Sequence, residues 1–263
     1  LPGQFVLGDV LHFTLDSFLE RAVTKDLRVG QSVFGKDAAE ARKTIALAAP
    51  DPEASLSYGT DALGNDQGER AVGFSLSQTI RLPGQKRALR EIANAETTLA
   101  NASLREATRQ ATFRAKGLFL QVLAARERLS FAREASELAS ELATFVASAE
   151  GRGEASGIDV GQTKLKSLSA KEKLAANEQE LNELLAQAGI ILRTKPDDEL
   201  VLEGTLTFPE ERPAVPNDIS NWRTQRPDLA LLAGEQQRAS ARLHKKKADR
   251  WGRWRLEGFV EHA

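Results

Sequence analysis

Between Gln85 and Ala149 the chain holds no Pro and a single Gly, Gly117, and sixteen Ala fall between Ala88 and Ala149. Nothing in this stretch breaks a helix, and its composition favours one. Apolar or small residues recur at three- and four-residue steps: Leu118, Val122, Ala125, Leu129, Ala132, then Ala139, Ala143 and Val146. A second stripe is offset from the first: Phe131, Ala135, Leu138, Leu142, Phe145 and Ala149. Two adjacent stripes at coiled-coil spacing predict a helix packed against neighbours on both sides. At 1.5 Å per residue such a helix would be roughly 95 Å long, and no compact globular domain has room for it.

The helical pattern stops at Gly151, Gly153 and Gly157, three helix-breaking residues in a span of seven. Ser156 or Asp159 can cap a second helix that runs through Leu165, Leu168, Leu174, Leu181, Leu184 and Leu185 to about Leu192. So short a turn sends the second helix back antiparallel to the first. The return helix covers about half of the long one, roughly 55 Å by the same rise. An N-terminal helix of matching size supplies the remainder. It is capped by Thr14, carries Leu15, Phe18, Leu19, Ala22, Ala38, Ala41 and Ile45, and ends after Ala49 at Pro50 and Pro52.

Two segments with a period of two lie between the N-terminal helix and the long one. Ala54, Leu56 and Tyr58 alternate with Ser55 and Ser57; Val72, Phe74, Leu76, Ile80 and Leu82 alternate with Gly73, Ser75, Ser77, Thr79 and Arg81. With Asp61, Gly64, Asn65, Asp66 and Gly68 as a polar turn, this reads as a β-hairpin. Its small, almost uncharged polar face suits a wet barrel interior with the apolar face toward lipid. The alternation alone is equally compatible with a soluble sheet. A linker with Pro196, Pro209, Pro213 and Pro216 leads to a third helical stretch, then to Trp251, Trp254 and an alternating tail through Leu256 and Val260. This tail echoes the N-terminal block at an offset of 200, pairing Ala41 with Ala241, Ala48 with Ala248 and Leu56 with Leu256. Asp26 and Leu27 fit Asp228 and Leu229 at an offset of 202, a slip that a small deletion would produce. The expected division is a repeat-one helix over 1–52, a β-hairpin over 53–82, a long α-hairpin over 83–193, a linker over 194–216 and the start of a second repeat over 217–263.

Charge and composition narrow the function classes. The 36 Lys and Arg balance 37 Asp and Glu, so no basic excess points to nucleic acid. The absence of Cys excludes disulfides, thiolate metal sites, Cys nucleophiles and a lipidated Cys within these 263 residues. No apolar run is long enough for a membrane-spanning helix, whereas membrane β-strands carry a weaker signal and stay open. His12, His244 and His262 are not spaced for one metal site, and no catalytic triad, phosphate loop or paired carboxylates stand in a recognisable frame. The expectation is therefore neither enzyme nor cofactor.

Three strings in chain order resemble the outer membrane efflux proteins of the TolC-like outer membrane factor family. They are the hairpin turn Gly153 to Val160, with Ser156 and Asp159; the second-repeat start Arg226, Pro227, Asp228, Leu229; and the strand-to-helix junction Ser77 to Arg87. The junction is most similar to the heavy-metal branch, of the cobalt-zinc-cadmium or copper-silver type. The resemblance covers nearly the whole chain. It implies a mainly α fold, a long antiparallel coiled-coil hairpin with a short β-hairpin that contributes to a trimeric barrel, the second repeat being truncated. It also implies a homotrimer in the outer membrane of a Gram-negative bacterium, with most of the chain in the periplasm. The implied partners are a periplasmic adaptor at the hairpin tips and an inner-membrane pump of the resistance-nodulation-division type. The mechanism it implies is passive export of small molecules or metal ions.

Candidate residues follow from this picture. Arg152, Gly153, Glu154, Ser156 and Asp159 at the tip would meet the adaptor or the tunnel mouth. Pro83 and Gly84 form the strand-to-helix junction. Lys86 and Arg87 would lie at lipid headgroups, a solvated helix face being equally open, and Trp251 and Trp254 would anchor at the membrane interface. The alternative of another class is a soluble periplasmic coiled-coil adaptor or scaffold.

Overall fold

The structure, a computed structural model, describes residues 9–60, 70–207, 226–252 and 254–262. The expected turn at Asp61, Gly64, Asn65, Asp66 and Gly68 lies outside the described residues, as do Pro209, Pro213, Pro216 and the expected repeat start at 217. In chain order the elements are β1 (Val10–Phe13), α1 (Leu15–Lys25), α2 (Leu27–Leu47), β2 (Glu53–Thr60), β3 (Arg70–Ile80), α3 (Pro83–Gly151), α4 (Gly157–Leu192), β4 (Glu199–Leu202), α5 (Pro227–Ala248) and β5 (Trp254–His262). The fold is mainly helical, with α3 alone accounting for 69 residues. The chain divides into two compact units, Leu1–Gly30 with Ala107–Val215 and Gln31–Glu106 with Pro216–Ala263.

In the first unit α3 and α4 form the antiparallel hairpin. Ser140 meets Ser167 through their hydroxyls at 3.2 Å, and Arg128 pairs with Glu180 at 3.0 Å. Thr14 caps α1 with a reciprocal Thr14–Ser17 box, as its position before an apolar run predicts. The core gathers Phe13, Phe18, Ala22, Leu118, Phe119, Val122, Leu192 and Leu202. Phe18, fully buried, stands edge-on to Phe13 and Phe119, with ring centroids 6.4 and 5.4 Å away. β1 and β4 pair in parallel, from Val10 with Glu199 to Phe13 with Leu202.

Two features of this unit depart from the sequence expectation. The single N-terminal helix is two helices, broken at Asp26, and a strand precedes them. Asp26 adopts extended backbone (φ −68°, ψ 125°), and its Oδ1 accepts from the amides of Arg28 and Val29, so the residue ends α1 and caps α2 at once. Partial burial pushes its carboxyl up, but the Arg114 guanidinium on Oδ2 and the two amides outweigh this and leave it below the ordinary 3.8. The second apolar stripe of α3 is also mostly open: Leu118, Val122, Ala125 and Leu129 are buried, whereas Phe131, Leu138, Leu142 and Phe145 are exposed. A single return helix covers one face of α3, so the neighbour expected on the other face is not within the described part of this chain.

In the second unit α3 and α5 run antiparallel on small residues. Gly234 faces Leu99, Gly84 faces Ala248, and Ala88, Ala95, Ala102 and Ala241 are buried. A Cβ on Gly234 would stand 3.3 Å from Leu99, tighter than ordinary contact, so this crossing favours glycine. The sheet has the order β2-β3-β5, all antiparallel, with Phe74 facing Leu56 on one side and Val260 on the other.

Candidate functional site

The hairpin tip is built from two local motifs that leave little slack. Gly153 adopts φ 78°, the amide of Glu154 donates to the carbonyl of Ala149 at 2.9 Å and that of Gly153 to the carbonyl of Glu150 at 2.8 Å. This is a Schellman ending, and glycine occupies the one position where a Cβ is strained. Three residues on, Ser156 caps α4. Its Oγ accepts from the Asp159 amide at 3.2 Å, while its own amide and hydroxyl donate to Asp159 Oδ2 at 3.1 and 2.7 Å. Arg152 pairs with Glu154 at 2.9 Å. The five tip residues singled out from the sequence are thus brought together, and the four with polar side chains pair off, Arg152 with Glu154 and Ser156 with Asp159. What the tip presents outward without a partner is Ile158, 73 % exposed. It lies within the Gly153 to Val160 turn string, where an apolar residue inside a capped first turn is the signal that marks it.

The Ser156 hydroxyl and amide on Asp159 hold its carboxyl below the ordinary 3.8. A carboxyl depressed by folding contributes stability above its unfolded value, and that contribution is lost as pH falls through the lower folded value. Substitution Ser156→Ala is expected to return the Asp159 titration, read from its carboxyl carbon shift, toward 3.8 and to cost roughly 1 kcal/mol of local helix stability. An unchanged titration would show that the capping box does not hold the tip in solution.

The strand-to-helix junction belongs to the second unit. Pro83 opens α3 and the carbonyl of Leu82 accepts from the amides of Gln85 and Lys86 at 3.0 Å each. Gln85, buried, closes the junction from both sides: its Oε1 accepts from the Leu82 amide at 3.2 Å and its Nε2 donates to the carbonyl of Gly252 at 2.9 Å. The end of the first strand pair is thereby tied to the residues entering β5. Gln85 lies in the junction string but had no assigned role; a buried amide is invisible to periodicity. Trp254 Nε1 donates to the Trp251 carbonyl at 3.3 Å, and both rings are exposed beside this tie. Lys86 is exposed, and Arg87 pairs with Glu91 at 3.2 Å. Glu91 also meets His244 at 2.9 Å, and these two contacts hold its carboxyl below 4.5. Arg81 Nη1 donates to the carbonyls of Ala46 and Ala48 at 2.9 Å, fixing the end of α2 against β3.

The sheet is two-faced. One face carries Leu56, Tyr58, Val72, Phe74, Leu76, Ile80, Trp254, Leu256 and Val260, all exposed. The other carries Ser55, Ser75 and Ser77 with Arg255 and Glu257 of β5, and the hydroxyls of Ser55 and Ser75 meet at 2.8 Å. β5 therefore adds Arg255, Glu257 and Phe259 to this face, where the first two strands contribute hydroxyls and one charge, Glu53, which pairs with Arg255 at 3.7 Å. Among the described residues no helix is long and apolar enough to cross a membrane, and no group of three or more His, Asp or Glu could hold a metal ion. His12 stands apart in the first unit, 2.8 Å from Glu203.

No family model and no curated protein matches the chain. Solved structures do. A structure of CusC, from work on its folding and transmembrane channel formation, matches with a TM-score of 0.79 at 16% identity, over 99% of this chain and 64% of that one. The outer-membrane channel OprN matches with a TM-score of 0.79 at 18% identity, over 94% of this chain and 59% of that one. The CmeC outer membrane channel of Campylobacter jejuni matches with a TM-score of 0.75 at 16% identity, over 94% of this chain and 56% of that one. This chain thus spans less than two thirds of the length of each. At these identities the likeness is one of fold, and the chain has the TolC-like fold of those channels.

Proposed function

We propose that the chain is the channel component of a tripartite efflux system in the outer membrane of a Gram-negative bacterium. In this reading three copies share one barrel and one periplasmic tunnel. The observation that carries it is the open, two-faced sheet: nine large apolar side chains on one face, each about half exposed or more, backed by hydroxyls and charges on the other. A contiguous apolar face of this kind is unsuited to water and suited to lipid, with the polar face toward a wet lumen. Among the described residues the outer edges of β2 and β5 pair with no further strand, and sharing a closed barrel among copies would supply the missing partners. The exposed α3 stripe of Phe131, Leu138 and Phe145 then packs on a neighbouring copy.

In this reading the duct conducts passively, and opening requires the hairpin tips to part. The tip from Arg152 to Asp159 meets the adaptor, Lys86 and Arg87 lie at headgroup level, and Trp251 and Trp254 anchor the interface. The pump, of the resistance-nodulation-division type, supplies energy and selectivity. The junction string Ser77 to Arg87 is the ground for placing the cargo among heavy-metal ions, which would pass through the lumen without being ligated.

Membrane fractionation followed by native mass measurement in detergent tests the reading. The expected result is recovery with the outer membrane and a trimer mass. A soluble monomer would leave the coiled-coil adaptor or scaffold alternative in its place.

A further inference from the structure

At the break between α1 and α2, Lys25 and Arg28 flank Asp26, Arg114 reaches it from α3 and Arg193 caps the end of α4. These side chains line one concavity of about 350 Å³ within the first unit. Arg114 is committed to Asp26 at 2.8 Å. The side chains of Lys25, Arg28 and Arg193 have no hydrogen-bond or ion-pair partner among the described residues. In a chain with a net charge of −1, four cations therefore surround a single carboxylate. Such a local excess lacks an internal counterion, and three of the four cations are guanidinium forks suited to bidentate oxyanions.

The backbone adds an independent observation. Arg193 adopts φ 51°, the only positive φ of a non-glycine among the described residues. A left-handed helix ending is a position for Gly or Asn, and an arginine there is held against a backbone penalty. Two large apolar residues share the rim, Leu27 at 74 % and Ile190 at 77 % exposure.

We propose that this basin docks an acidic segment of a partner protein, one that alternates carboxylates with apolar side chains. The concavity is much larger than one phosphate, and its cations come from three separate stretches of chain, so no single small anion can engage them together. Carboxylates spaced along a peptide can, and apolar side chains between them would cover Leu27 and Ile190. This site does not depend on the duct reading, because none of its residues belongs to the sheet or the hairpin tip.

The test uses the purified protein in detergent and a labelled acetylated peptide alternating Glu and Leu, followed by fluorescence anisotropy. Saturable binding is expected, weakened tenfold or more by Arg193→Gly and by Arg28→Gln. Arg193→Gly should melt at or above the wild-type temperature, since glycine relieves the positive φ, so its weaker binding could not be ascribed to misfolding. A peptide alternating Gln and Leu should bind at least tenfold more weakly. Three results would overturn the proposal. One is undiminished binding by both variants, and another is equal affinity for the Gln peptide. The third is tighter binding of inorganic phosphate or of phosphatidylglycerol vesicles, with the same sensitivity to the variants.

Discussion

Phe18→Ala is expected to remove about 3–5 kcal/mol from the stability of the first unit, the range for emptying a large aromatic site in a packed core. Phe18 is fully buried, and its ring is gripped between Phe13 and Phe119. It also sits where α1, β1 and α3 converge, so the void cannot close without moving several elements. Phe13 carries the Arg21 guanidinium 5.6 Å from its ring centroid, and Arg21 Nε donates to the Leu192 carbonyl at 3.4 Å. Losing Phe18 therefore also loosens the support of Phe13. Far-UV circular dichroism against urea reads the effect as a lower unfolding midpoint. Phe145→Ala is the matched control: the same side chain is removed from an exposed position, and a change within about 0.5 kcal/mol is expected for the isolated chain. Comparable losses at both positions would mean that burial in the folded chain is not what sets the ranking.

The two positions also mark the limit of what periodicity reports. Both phenylalanines lie on apolar stripes, and a stripe says that a face is to be covered without saying by what. The hairpin was legible because Gly151, Gly153 and Gly157 interrupt an otherwise unbroken helical pattern, and because Ser156 and Asp159 form a capping box readable from spacing alone. The sheet was legible from the alternation in β2 and β3, which Gln78 interrupts between Leu76 and Ile80 without hiding the period. The β1 and β4 pair was not, since four-residue strands such as Val10–Phe13 and Glu199–Leu202 are too short for alternation to register, and their partners lie far apart in sequence. The break at Asp26 was hidden because the apolar period continues through it, although the internal repeat held a clue. Asp26 corresponds to Asp228, and Asp228 stands in the first turn of α5, so a helix start at the equivalent place in the first copy was implied. At the tip the charged residues are exposed and also paired with one another, because two-residue and three-residue spacings let Arg152 meet Glu154 and Ser156 meet Asp159.

The faces of the sheet can be separated by moving one charge across one residue of β3. Phe74 lies at the centre of the apolar face between Leu56 and Val260, and its side chain is half exposed. If that face meets lipid, Phe74→Arg places a guanidinium in hydrocarbon at a cost of about 2–4 kcal/mol near the midplane. That corresponds to a roughly 30- to 700-fold loss in the inserted form at equilibrium. Ser75 is the next residue and points the opposite way, toward Ser55 and the neighbouring strand's Phe259. In a water-filled lumen Ser75→Arg keeps its hydration and loses one hydroxyl contact, so insertion should be close to wild type. Outer-membrane fractionation of the two variants reads the difference, with Phe74→Arg depleted and Ser75→Arg retained. The reverse order would assign lipid to the hydroxyl face, and equal recovery in the soluble fraction would take the sheet out of the membrane altogether. The pair discriminates because a strand repeats every two residues. Both variants carry the same charge on the same strand, and only the direction in which the side chain leaves the sheet differs between them.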